Sequence, residues 1–212
     1  MKSLKSNPKF LILIIAMTLF QNCQSQTKKN PKYLGSKYGS FDLGEVTFNE
    51  KIDTLFSKVK NEYYKNQIKE NGQLVGSQVF YDIEANKATN IFFIDENYKA
   101  TKPIFIVDKN NIFFMISSSF KTDFPPVKIF ERINNKFKKY NVKLKSTDKT
   151  NQIYQWETPE KIIVFKYLEK GASYYLSYLT ILDKQYSIKN LDFPFNKFSN
   201  SAPLCLDNSC KK

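Results

Sequence analysis

The stretch "PIFIVDKNNIFFMIS", Pro103–Ser117, places two short runs rich in Ile and Phe on either side of the polar tetrapeptide Asp108–Asn111. Runs this brief, bounded by polar clusters, suit strands, and so tight a connection suits a hairpin. Parallel strands need a crossover of a dozen or more residues, so the spacing predicts antiparallel pairing. The same texture recurs along the chain. Asn71-Gly72 marks a turn, after which Val75, Ser77, Val79, Tyr81 and Ile83 alternate with period two, followed by "NIFFIDEN". Beyond position 140 come "YNVKLK", "QIYQWET", "KIIVFKYL" and "SYYLSYLTIL", the last two joined by a turn at Glu169-Lys170-Gly171-Ala172.

Two segments carry helical spacing instead. In "TFNEKIDTLFSKVKNEYY", Thr47 stands three residues before Glu50, the pattern of a capping box. Phe48, Ile52, Leu55, Phe56, Val59 and Tyr63 then form an apolar stripe, which predicts a core helix. In "DFPPVKIFERINNKFKKYN" the proline pair suits a helix start, and Val127, Phe130, Ile133, Phe137 and Tyr140 form the expected buried stripe. Lys136, Lys138 and Lys139 favour its C-terminal dipole.

The order is a helix and several strands, then a helix and several strands. This predicts an α+β fold with an antiparallel sheet of about seven or eight strands packed with two helices. Two similarly wired α-β-β-β halves and one continuous sheet with both helices on one face fit equally. The expected domain spans 41–190, preceded by a flexible tether over 24–40 rich in Lys, Ser, Gly and Asn. An irregular C-terminal segment, 191–212, follows, with Phe193, Phe195 and Phe198 expected to pack onto the domain. Apolar residues make up 42% of the chain and aromatics 16%, enough for a large, ring-rich core.

The leader fixes an address. "MKSLKSNPKFLILIIAMTLFQNC" has Lys2, Lys5 and Lys9 ahead of the apolar segment Phe10–Phe20. Those 11 residues fit a signal peptide and fall well short of the roughly 20 that a transmembrane helix needs. With Phe20, Gln21 and Asn22 before it, Cys23 resembles the lipidated cysteine of a bacterial lipoprotein. The resemblance covers the first 23 residues and implies a signal peptide over 1–22, an acyl-modified Cys23 and a membrane-anchored protein of the cell envelope. Cleavage after Ser25, using Cys23 and Ser25 as small residues, is the competing reading. The stretch from "KFKKYN" through "IYQWETPEKIIVFKY" is also similar in texture to small bacterial lipoproteins, a likeness that implies no activity.

Three cysteines occur in all. If Cys23 carries lipid, Cys205 and Cys210 remain as a pair that an oxidising compartment would let close. So short a loop would contribute roughly 2–3 kcal/mol. A metal site and two unpaired thiols are the alternatives.

Composition excludes much chemistry. There is no histidine, hence no Ser-His-Asp or Cys-His pair and no imidazole zinc site. Glycine loops that cradle phosphates are absent too. The remaining catalytic candidates are the carboxylate pairs Asp82 with Glu84, Asp95 with Glu96, and Glu157 with Glu160, which would serve an envelope hydrolase. The formal net charge is +13, to which the leader lysines contribute. Arg132 is the only arginine, whereas base and phosphate recognition favour arginine, so nucleic acid is not an expected partner, and no cofactor or metal is expected. Trp156, Tyr174 and Tyr178 are candidate ligand-binding residues if one tyrosine face of the last long strand is exposed; Tyr154 and Tyr167 come from neighbouring strands. Rigid aromatic area of this kind suits a sugar ring or a protein surface. The expected function is that of a membrane-anchored binding module for an envelope protein, a glycan or a toxin.

Overall fold

The computed structural model describes residues 29–59, 63–81, 91–140, 142–144, 151–168, 174–190, 193 and 195. In chain order the elements are β1 (Phe41–Asp42), α1 (Ile52–Leu55), β2 (Tyr63–Glu70), β3 (Gln73–Tyr81), β4 (Ile91–Phe93), β5 (Asp95–Lys99), β6 (Ile104–Asp108) and β7 (Phe113–Thr122). Then come α2 (Pro126–Lys136), β8 (Val142–Leu144), β9 (Asn151–Glu157), β10 (Lys161–Leu168), β11 (Tyr175–Asp183) and α3 (Lys184–Lys189).

Eight strands form one sheet in the order β2-β3-β6-β7-β11-β10-β9-β8, with every neighbouring pair antiparallel. The α+β, antiparallel expectation therefore holds, and the sheet is continuous. Its order reads as two four-stranded meanders that meet where β7 pairs with β11. The chain enters each meander from a helix, α1 before β2 and α2 before β8. A second, three-stranded sheet, β1-β4-β5, is inserted between β3 and β6 and recruits β1 in parallel with β4.

Side chains alternate across a strand, so the register divides the large sheet into two faces. The inner face carries Val79, Phe105, Ile116, Phe120, Trp156, Ile163 and Leu179, in one core with Ile52, Leu55, Ile129, Ile133 and the small-sheet residues Phe41 and Phe93. The outer face carries a smaller cluster around Ile106, Phe114, Val164 and Leu182, packed with Tyr186 from α3 and with Phe193 and Phe195. Phe114 stacks on Tyr186 at 4.3 Å and meets Phe193 edge-on at 4.8 Å. Phe193 and Phe195 thus pack as expected; Phe198 lies outside the described residues. The short helix α3, at the end of the domain, is capped by Asp183, which accepts hydrogen bonds from the Gln185 and Tyr186 amides.

The first predicted helix shrinks to one turn. Ile52, Leu55, Phe56 and Val59 are buried as their spacing requires, but Tyr63 and Tyr64 begin the edge strand β2. The capping box is half made: the Glu50 carboxylate accepts the Thr47 amide, while Thr47 Oγ1 accepts the Asn49 amide. Phe48 adopts a φ of 63°, outside helical space. Pairing with β3 overrides helix propensity here, which is a weak preference beside a full set of ladder hydrogen bonds.

In α2 the buried stripe is Ile129, Ile133 and Phe137, spaced by four, with Phe130 flanking it against Tyr154 at 4.2 Å. Val127, expected on the buried face, is 46% exposed. The tether is shorter than expected. Asn30 exchanges two 2.8 Å hydrogen bonds with the Asp42 backbone, Leu34 is buried, and its amide donates to the Leu55 carbonyl. The domain therefore includes residues that the sequence assigned to a linker.

Gly76 is a close-approach position. A Cβ there would lie 2.4 Å from the Val107 carbonyl oxygen, a backbone atom of β6 that no side-chain rotation can move. Gly76→Ala is expected to destabilise by about 3 kcal/mol, the upper end for overpacking, measured as a shift in the urea midpoint. A change below about 0.5 kcal/mol, the range of ordinary surface substitutions, would contradict this reading.

Candidate functional site

The aromatic residues singled out from the sequence do not share a surface. Trp156 is fully buried on the inner face, with Nε1 donating to Asn134 Oδ1 at 3.4 Å. Its ring packs beside Phe130 and Tyr154. Trp156 pairs with Ile163, which pairs with Ile181. Tyr178 stands three residues from Ile181 and so points to the opposite face, half-buried between Ser119 and Lys166 in register. The condition for a shared platform, an exposed face, is not met at Trp156, because α2 covers that face.

Tyr174 is exposed just before β11, with the Lys121 ammonium 5.0 Å from its ring centre. It lines a shallow cleft of about 340 Å³ with Asn97, Lys121, Thr122, Asp123 and Phe124. Thr122 Oγ1 is committed to the Phe124 carbonyl at 2.8 Å.

The carboxylates do not gather. Asp95 is engaged by Arg132 and by the Asn97 amide, and Glu157 by the Gln155 amide group and the Lys184 ammonium. Glu160 is exposed, with the Thr158 hydroxyl 3.4 Å away. Asp82, Glu84, Cys23, Tyr167's side chain, Cys205 and Cys210 lie outside the described residues. Among the described residues no three His, Cys, Asp or Glu side chains group as metal ligands, and no helix is long and apolar enough to cross a membrane.

The larger cleft, about 520 Å³, lies at the corner where β2 and β3 meet the β6–β7 hairpin. Its floor follows from the register. Gln67 and Ser77 are cross-strand partners, and Lys65 pairs with Val79, so all three project from the inner face. Here the apolar core gives way to polar residues. The wall is the hairpin loop Asp108-Lys109-Asn110-Asn111, and Leu74 closes the rim.

Asp108 builds that wall. Its Oδ1 accepts the Asn110 and Ile112 amides at 2.8 Å, and its Oδ2 accepts the Tyr186 hydroxyl at 3.2 Å and the Asn110 side-chain amide at 3.5 Å. Burial, then the Asp108 charge and their hydrogen bond, push the Tyr186 hydroxyl well above the ordinary tyrosine range. Asn111, with φ of 63°, is a position where asparagine is tolerated better than most residues. Its Oδ1 accepts the Lys65 ammonium at 3.0 Å and its Nδ2 reaches Asp53 Oδ2 at 3.4 Å. One side chain thus ties the hairpin to β2 and α1. Lys109 donates its backbone amide to the Val75 carbonyl and also lines the cleft.

The hairpin was legible in the sequence as a turn. Its role as a wall was not, because lysine, asparagine and glutamine are common everywhere in this chain.

Two other ionisable groups, the buried Tyr98 and the half-buried Lys161, serve the fold. Tyr98 donates to or accepts from Ser177 and stacks on Phe120 at 4.1 Å. Lys161 donates to the Gly44 carbonyl at 2.8 Å, and burial holds its ammonium below the ordinary lysine range. No protein-family model matches the chain, and no curated protein or solved structure does either.

Proposed function

We propose that the chain is an exported bacterial lipoprotein, held to the cell envelope by acyl groups on Cys23, whose α+β domain acts by binding. The leader supports the anchor, and the preformed polar cleft at the β6–β7 hairpin is the observation that carries the binding role. That cleft presents ammonium, amide and hydroxyl groups on a wall fixed by Asp108 and Asn111, an arrangement that recognises a polar ligand. The Tyr174 cleft adds a smaller aromatic surface suited to a sugar ring or a protein side chain.

The anchor geometry follows from the short tether. Asn30 is already bonded to the domain, and the seven residues from Cys23 to it reach at most about 25 Å when fully extended. The domain would work close to the membrane, in the outer membrane of a two-membrane envelope, with Lys28, Lys29, Lys32 and Lys37 near the headgroups.

Metabolic labelling with a fatty-acid analogue tests the anchor. Wild-type protein is expected to take up label in the membrane fraction, and Cys23→Ala to take up none. Equal labelling of the two, or an unlabelled wild type that retains Met1, would remove the proposal. Recovery of one stoichiometric envelope component with the solubilised wild type is the expected result for the binding role; turnover of a cell-wall fragment by the pure protein would replace it with the hydrolase reading.

A further inference from the structure

We infer that the cleft between β2, β3 and the β6–β7 hairpin binds an oxyanion, the carboxylate or phosphate group of a small polar ligand. This rests on the binding role proposed above and names what the cleft takes.

Four observations converge. Ser77 is 6% exposed and lines the cleft, yet its hydroxyl has no hydrogen-bond partner among the described residues. Its oxygen is not sealed off from solvent but faces the cleft, where it is free to donate to a ligand. Gln67, its cross-strand neighbour, adds an amide that is also without a partner among the described residues. Lys65 and Lys109 place two ammonium groups at the same opening. Lys65 uses one of its three donors on Asn111, and the Lys109 ammonium has no partner among the described residues.

The carboxylate in the wall does not answer that charge. Both oxygens of Asp108 are occupied, by two backbone amides, the Tyr186 hydroxyl and the Asn110 side chain. Asp53 meets the far side of Asn111 through Nδ2. Donors therefore outnumber free acceptors at the opening. Charge-assisted hydrogen bonds from ammonium, amide and hydroxyl groups to an anionic oxygen are shorter and stronger than neutral ones, whereas a cation would find its best ligand already saturated. The wall needs no rearrangement, because Asp108 and Asn111 hold it without a ligand.

The test uses the full-length protein in detergent micelles, titrated with sodium glucuronate, inorganic phosphate and neutral glucose and followed by calorimetry. One or both acids are expected to bind saturably, and glucose not at all. Preference for glucuronate assigns the carboxylate of an acidic glycan; preference for phosphate assigns a phosphorylated ligand. Lys109→Met, which removes no bond of the fold, is expected to weaken the acid by about fivefold, and Lys65→Met with Lys109→Met by more than about tenfold. Ser77→Ala is expected to weaken it by roughly threefold or more. Raising the salt from low to high is expected to weaken it several-fold through screening.

Absence of saturable binding by both acids, or unchanged binding by the doubly substituted protein, would overturn the inference. An envelope component recovered equally well by wild type and the double variant, and not displaced by either acid, would also overturn it while leaving the binding role standing. Loss of the lipid label would remove the anchor and leave the titration unaffected.

Discussion

Phe105→Ala is expected to lower the stability of the domain by about 3–5 kcal/mol, the range for truncating a large buried aromatic residue. Phe105 is fully buried and stands on β6, in the middle of the first meander. Its ring meets Phe56 edge-on at 5.1 Å, Phe41 at 6.3 Å and Phe113 at 5.8 Å. These three rings belong to the turn after α1, to β1 of the small sheet and to β7. One side chain therefore fastens the small sheet and the α1 turn onto the large sheet. Alanine would leave a cavity bordered by three different elements, two of them held in strand ladders, so the site can collapse only in part. A domain of this size has a total stability of about 5–15 kcal/mol, so the change would remove a large share of it. The measurement is the urea midpoint against Val127→Ala, an exposed position on α2 expected to move stability by less than about 0.5 kcal/mol. Similar shifts for the two variants would mean that Phe105 does not join the layers.

Above pH 10 the protein is expected to lose stability because of Tyr98. Burial pushes its hydroxyl far above the ordinary tyrosine value of 10.0, and the Ser177 hydrogen bond offsets this only in part. The folded protein keeps the phenolic proton where the unfolded chain releases it. The stabilisation is fully present below pH 10 and falls as pH rises, by about 1.4 kcal/mol per pH unit for one such group. Tyr186 acts in the same direction. Lys161 acts oppositely: its lowered pKa means that the folded state binds fewer protons, so its contribution rises with pH up to about the ordinary value of 10.5.

Comparison with Tyr98→Phe isolates the first effect, because the other groups are common to both proteins. At pH 7 the variant should be less stable by about 1 kcal/mol, the worth of a hydrogen bond that leaves Ser177 unpaired. By pH 12 it should be the more stable of the two, since the wild type will have lost a further ~2.7 kcal/mol or so. The two stability curves should cross near pH 11. Curves that stay parallel from pH 7 to 12 would show that Tyr98 ionises freely.

Strands were the legible part of this fold. Their alternation comes from burial on a sheet face, which forces period two locally, and the short connections at Asn71-Gly72 and Asp108–Asn111 leave antiparallel pairing as the only option. The first helix was misread because Ile52, Leu55, Phe56 and Val59 bury the same residues whether they form one turn or four. Only the pairing of Tyr63 and Tyr64 with Tyr81 and Phe80 decides between those outcomes. Strand β1 carries no signal of its own in two residues, and it exists because β4 offers a free edge.

The candidate site was less legible for the same kind of reason. Trp156 fits a surface anchor or a core ring equally well until α2 is laid over it. Lys65, Gln67 and Ser77 read as the polar half of two strands until the register shows them on the inner face, beyond the reach of the core. By itself the sequence determined the α+β class and the antiparallel hairpins, because each depends on neighbours along the chain. Only the tertiary structure decided which aromatic rings are buried and where donors gather without acceptors. Those depend on which faces the long-range pairings bring together, and that information is spread across residues far apart in the chain.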